Sequence, residues 1–182
     1  LEPERRRYAE RAAADLRLDL SPRRDYGRAL LTGATGYLGA YMLRELLADP
    51  DRQVTALTRG ADDEQARARL ADVLRFYFGA ADGAALAEDP RLTVTAGDLR
   101  SDNFSLSASG ADRLMDGVQA VFHCAAKVDH YGHYFDFHAA NVAATRRLLD
   151  LAARQPAPPD FHHISTVSAA GRPPEQGFRL FT

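Results

Sequence analysis

Three glycines carry the first chemical signal in this chain. In LLTGATGYLGAYML, residues 30–43, an apolar run breaks at Gly33, Gly36 and Gly39 and then resumes with helical spacing. A turn of this kind can cradle a phosphate. Gly33 permits a tight turn off a strand, and Gly36 lets backbone N–H groups approach a pyrophosphate with no Cβ in the way. Gly39 lets the following helix pack closely on its strand. Ala34, Thr35, Tyr37 and Leu38 complete the candidate phosphate loop, and the helix start offers unpaired N–H donors and a partial positive charge. A lone glycine motif is weak evidence, and a connector with no ligand is the plainer alternative. Here a strand precedes the motif, a helix follows it, and three fixed glycines exceed what a turn requires.

The second candidate is Arg59. It ends the second predicted strand, VTALTR at 54–59, where a carboxylate would accept from the ribose 2′-hydroxyl of NAD. No acid follows until Asp62. A carboxylate repels a 2′-phosphate, whereas a guanidinium grips it with two parallel hydrogen bonds, so the expected cofactor is NADP(H). A solvent-exposed arginine at a strand end is the competing account. Arg69, ten residues on, can add a second charge, although alone it reads as a solvated helix face.

The elements that must position these residues alternate. Residues 3–20 read as an Arg/Ala-rich helix with Tyr8, Ala12 and Leu16 on one face, and SPRRDYGR as a polar connector. ALLTG is a short buried strand, and a helix is expected over 37–47. A long helix follows over 62–78, with Leu70, Val73, Leu74 and Tyr77 at helical spacing. Strands are expected at 92–99, 120–126 and 161–167, a short helix or turn at DRLMDGV, and a helix over 141–154. The order βαβαβαβαβ with short apolar strands predicts an α/β fold, a Rossmann-like doubly wound parallel sheet. Residues 1–26 are expected to be an N-terminal helix and linker, and 27–182 a dinucleotide-binding domain.

Composition narrows the function classes. At 182 residues the chain holds one domain with a substantial core. A net charge of −2 gives no electrostatic case for nucleic acid or an anionic membrane. No apolar run reaches the length of a membrane span, and LEPERRRYAE has no apolar stretch after its charges. A single cysteine, Cys124, excludes an internal disulfide and suits a reducing compartment, so a cytoplasmic setting is expected. The histidines are scattered without metal-ligand spacing, and His162-His163 reads as a strand-end pair.

The GxxGxxG spacing resembles the short-chain dehydrogenase/reductase superfamily, its extended branch in particular, over roughly residues 29–171. The resemblance implies further roles. Asp98 of GDL (97–99) would contact adenine and Leu99 would line its pocket. In HCAAKV (123–128), Ala125, Ala126 and Lys127 would pass against the nicotinamide ribose. Asn141 would hold a backbone and water relay, and similar reductase domains carry an arginine like Arg69. In STVSAAG, Thr166 would be the catalytic hydroxyl and Ser165 a cofactor contact. The superfamily's Tyr-x-x-x-Lys pair is absent, because no tyrosine has a lysine four residues later and Lys127 is the sole lysine. The chain is therefore expected to be the N-terminal part of a longer reductase, without its C-terminal substrate lobe.

Within that branch the chain is most similar to thioester reductase domains of nonribosomal peptide and polyketide assembly lines, carboxylic acid reductases and aminoadipate reductase. LLTGATGYLGAYML, LTRG, ARARLADVLRFYFG, HCAAKVDH, ANVAATRRLLDLA and HHISTVSAAG carry the similarity. It implies NADPH-driven reduction of an acyl or peptidyl thioester, held on a phosphopantetheine carrier domain of a larger multidomain chain, to an aldehyde or on to the alcohol. Alternatives are a fatty acyl-CoA reductase, a nucleotide-sugar epimerase/dehydratase, or a non-catalytic NADP-binding module. Arg59 and the 62–78 helix weigh against the sugar enzymes.

Overall fold

The computed structural model describes residues 26–129 and 131–166. The expected helix over 3–20, most of its linker and the end of STVSAAG lie outside the described residues. Five strands, β1 (Arg28–Thr32), β2 (Gln53–Thr58), β3 (Leu92–Ala96), β4 (Ala120–His123) and β5 (Asp160–His163), form one parallel sheet in the order β3-β2-β1-β4-β5. The reversal of strand order lies between β1 and β4, where open α/β sheets bind ligands at their carboxyl edge. β1 is buried at four consecutive positions, Ala29 to Thr32. A central parallel strand is covered on both faces, which is why it reads as an unbroken apolar run.

Each face has its own core. Ala29 and Leu31 pack with Leu43 and Leu47 of α1 (Tyr37–Leu47) and with Leu70 and Leu74 of α2 (Asp63–Phe78). On the other face Leu30 and Val121 pack with Leu114 of α4 (Ala108–Leu114) and with Leu148 and Leu151 of α6 (Ala144–Ala153). The long helix forms as its spacing predicts, and its start is capped. The Asp62 side chain accepts from the Gln65 amide at 2.8 Å, and Gln65 Oε1 accepts from the Ala61 amide at 2.8 Å.

Three expectations need correction. A helix, α3 (Ala80–Ala87), follows α2 where the sequence reading places only a connection to the third strand. Gly79 at φ +86° turns the chain, and Gly83 packs so tightly that a Cβ would lie 2.4 Å from the Arg75 amide nitrogen. The strands also end earlier than expected at 99, 126 and 167. Pairing persists one residue beyond each strand, through Gly97 N–H to Thr58 O, Cys124 N–H to Thr32 O and Ile164 N–H to His123 O, and then the chains splay into loops. The helix expected from 141 begins earlier: α5 (Tyr134–Phe137) runs into a π-helical turn, His138–Ala143, that continues as α6. Among the described residues no helix is long and apolar enough to cross a membrane.

Candidate functional site

Because all five strands are parallel, their carboxyl ends bring the candidate residues to one edge of the sheet. The glycine turn leaves β1 there, Arg59 and Asp98 follow β2 and β3, Ala125–Lys127 follow β4, and Ser165 and Thr166 follow β5.

The three glycines are not equivalent. Gly33 has φ +79°, and a Cβ on it would stand 2.5 Å from the Ala125 nitrogen, so β1's exit is pressed against β4's. A Cβ on Gly39 would lie 2.0 Å from the Gly33 carbonyl oxygen, so α1 packs directly on the turn. Gly36 differs: it is exposed and extended, and a Cβ would meet only that same oxygen at 3.4 Å. The protein itself leaves room at Gly36. The helix start beside it is also bare, since Gly36 caps α1 without a side-chain hydrogen bond and the first turn holds no acid. In contrast with the capped start of α2, the first turn of α1 has no side-chain acceptor for its N–H groups. Ala34 is buried beneath the turn, whereas Tyr37 and Leu38 are exposed on it.

At the neighbouring strand ends, Arg59 is exposed and makes no hydrogen bond or ion pair among the described residues. Its charge reaches Asp98. The Arg100 guanidinium, hydrogen-bonded to Asp98, holds that carboxyl below the usual carboxylate range; burial opposes this and Arg59 adds to it. Arg100 donates to both Asp98 oxygens, with Nη2 at 2.6 Å from one and Nε at 3.1 Å from the other. Leu99 is half-buried against the second core. Arg69 sits exposed on α2 beside the buried stripe of Ala66 and Leu70, with no ion pair of its own among the described residues.

Asn141 lies in the π-helical turn and bonds both backbone polar groups of one residue, Lys127. Its Oδ1 accepts from the Lys127 amide at 2.7 Å, and its Nδ2 donates to the Lys127 carbonyl at 2.9 Å. The Lys127 ammonium pairs with Asp129 and sits 5.6 Å from the Phe137 ring centre, so its charged end is already engaged. Ala126, Ser165 and Thr166 are exposed. Burial pushes the Cys124 thiol up to about 11, which makes it a poor nucleophile.

Sequence reasoning missed a buried polar group at the carboxyl ends of β1 and β4. His123 is fully buried, with Nδ1 2.7 Å from Thr32 Oγ1 and Nε2 2.9 Å from Thr145 Oγ1. Burial pushes its pKa down to about 4, and the neighbouring His163 adds to the shift. The available signal was a histidine closing the apolar run AVFH, one residue before the small-residue stretch. Arg100, directly after GDL, carried no pattern that would mark it as the partner of Asp98. Among the described residues no group of three or more His, Cys, Asp or Glu is placed to hold a metal ion.

Comparison with known proteins puts this geometry in context. The model of an NAD-binding family described as "Male sterility protein" matches residues 31–179. The L-2-aminoadipate reductase large subunit of Penicillium chrysogenum is 40% identical over 141 residues, which is 76% of this chain and 10% of that protein. The terminal R domain from the myxalamid PKS-NRPS biosynthetic pathway superposes with a TM-score of 0.69 at 34% identity, covering 78% of this chain and 34% of that one. A thiolation-reductase di-domain from an archaeal non-ribosomal peptide synthetase gives 0.67 at 28% identity, covering 81% and 37%. The chain spans only 3% to 14% of the length of the first curated relatives it matches.

Proposed function

The chain belongs to the NAD-binding family described as male sterility protein, and we propose that it is the NADP(H)-binding portion of a thioester reductase. The observation that carries the reading is the bare, glycine-opened start of α1 beside an uncommitted Arg59 at one sheet edge. The α1 N–H groups and the Gly36 gap receive the pyrophosphate, and Arg59 receives the 2′-phosphate, with Arg69 as a second cation. Arg100 keeps Asp98 ionised and oriented at the adenine end. The Lys127 peptide, held by Asn141, forms the wall along the nicotinamide ribose, and Ser165 contacts the cofactor beside it.

When bound, NADPH supplies the hydride that takes a thioester carbonyl to the aldehyde level. Thr166 donates its hydroxyl proton in a hydrogen bond to the carbonyl oxygen as negative charge develops there. The thiol of a phosphopantetheine arm is the leaving group, and a second reduction would give the alcohol. The relatives named as a reductase and as a thiolation-reductase di-domain favour a carrier-bound acyl or peptidyl substrate.

The test uses the parent polypeptide with an acyl group loaded on its carrier domain. Aldehyde and free thiol should form in step with NADPH consumption, and Thr166→Ala should lower kcat. In the same protein Arg59→Ala should cost NADPH about tenfold or more in affinity, the worth of a charge-assisted hydrogen-bonding group, and leave NADH nearly unaffected. NADPH oxidation without release of the acyl group would overturn the thioester reading. An unchanged NADPH preference would overturn the role of Arg59.

A further inference from the structure

A continuous line of hydrogen bonds runs beneath the cleft, and proton counting fixes its direction. The Thr145 hydroxyl donates its only proton to the Asn141 carbonyl at 2.7 Å. It can therefore only accept from His123, so Nε2 carries the ring proton. Burial keeps the ring neutral, with its pKa pushed down to about 4, so Nδ1 is bare and accepts from the Thr32 hydroxyl. At the far end Asn141 holds both the backbone N–H and the backbone C=O of Lys127. Thr32 immediately precedes Gly33, and its carbonyl receives the Cys124 amide at 3.1 Å. One buried ring thus joins the strand that launches the glycine turn to the helix that grips the β4 exit loop.

We propose that His123 is a positioning residue of the cofactor cleft, setting the glycine turn and the Asn141-held Lys127 peptide at a fixed separation through Thr32 and Thr145. Its bearing on cofactor binding rests on the reading that this cleft takes a nicotinamide dinucleotide. Three arguments carry the assignment. The polar line lies only at the carboxyl ends of β1 and β4, while Leu30 and Val121 one turn of the pleat earlier are fully buried and apolar. A valine–phenylalanine–valine set would fill the same space without burying the polar side chains of Thr32 and His123, each of which needs a partner. The line also spans the two walls that Gly33 and Ala125 bring into contact.

The test compares Thr145→Val, near-isosteric and partly exposed, with His123→Phe and with His123→Gln, whose side-chain amide can restore a donor toward Thr145. Two quantities are read on the full chain: hydrogen exchange of the Lys127 amide without ligand, and the NADPH dissociation constant. Thr145→Val and His123→Phe should speed Lys127 exchange about tenfold relative to the Leu30 and Val121 amides, as expected for loss of one net hydrogen bond. They should weaken NADPH by a similar factor, and His123→Gln should recover part of both effects. Thr145→Val with wild-type Lys127 exchange overturns the proposal and leaves His123 as core filling. Accelerated exchange at the core amides in equal measure overturns it as well. A wild-type chain that binds no NADPH refutes the dinucleotide reading instead, while the ligand-free exchange still decides the relay.

Discussion

Gly36→Ala separates a cofactor cradle from a structural turn more sharply than any other change. At φ −91° and ψ 165° the backbone suits alanine, and the new Cβ meets only the Gly33 carbonyl oxygen, at 3.4 Å. Two small effects on folding oppose each other. Reduced freedom of the unfolded chain stabilises by about 0.4–1 kcal/mol. Alanine is a poorer helix N-cap than glycine, at a cost of roughly the same size. Net stability should therefore stay within about 1 kcal/mol of wild type. On the proposed cradle reading binding is different, because the methyl group would take up the open space beside the α1 amides that the pyrophosphate is proposed to enter. Losing one hydrogen bond to a charged group costs about 1.5–3 kcal/mol, or roughly ten- to hundredfold in NADPH affinity. Gly33→Ala and Gly39→Ala serve as the contrast. Their Cβ atoms would stand 2.5 Å from the Ala125 nitrogen and 2.0 Å from the Gly33 oxygen, so both should lose the fold. Urea unfolding and NADPH fluorescence titration on the three variants decide the matter. If Gly36→Ala binds NADPH as tightly as wild type, the cradle argument fails. If it unfolds with the other two, Gly36 is a packing glycine.

The low pKa of His123 makes stability depend on acid in a defined window. Its folded pKa of about 4 lies below the ordinary value of 6.5, so the unfolded chain takes up a proton first. Its contribution is fully present above pH 6.5 and is lost as pH falls toward 4, by at most roughly 3 kcal/mol, and His123→Phe should flatten a pH series of urea midpoints there. Asp98 acts in the same direction but only below the ordinary carboxylate range, so Arg100→Ala should alter the profile at the most acidic end. Cys124, with its thiol pushed up to about 11, should react with iodoacetamide at neutral pH roughly two orders of magnitude more slowly in the folded chain than in urea. Asp62→Ala removes the α2 cap and should cost about 1 kcal/mol by urea unfolding, with NADPH affinity unchanged.

The local part of the fold was legible because local chemistry determines it. The helix at 37–47 forms over the range its sequence implies, and the long helix is bounded by the Asp62 cap and Gly79, both visible as residue types. The errors cluster where neighbours decide. Nothing in ADGAALA alone distinguishes a capped turn from α3, whose formation depends on Gly83 lying against Leu74 and Arg75. The strands stop short of the expected ends although small and apolar residues continue past the last paired one, as in HCAA. What ends β3 is the Asp98 amide turning to the Phe104 carbonyl at 3.0 Å, a contact formed through an irregular loop.

The site divides along the same line. Gly33, Gly36, Gly39 and Arg59 announce themselves because a phosphate needs small residues and a cation at fixed steps along one βα unit and the next strand. The line from Thr32 through His123 and Thr145 to Asn141 has no such signature, since its members come from β1, β4 and the helix after it, 91 and 22 residues apart at its two histidine bonds. Each member alone reads as an ordinary strand-end or helix residue. Yet this line decides whether the Gly33 turn and the Lys127 peptide stand at the separation a dinucleotide requires. The residues that touch a ligand are constrained by the ligand's chemistry, which repeats from protein to protein and leaves a pattern. The residues that place them are constrained only by one another, and their pattern becomes visible when the strands are laid side by side.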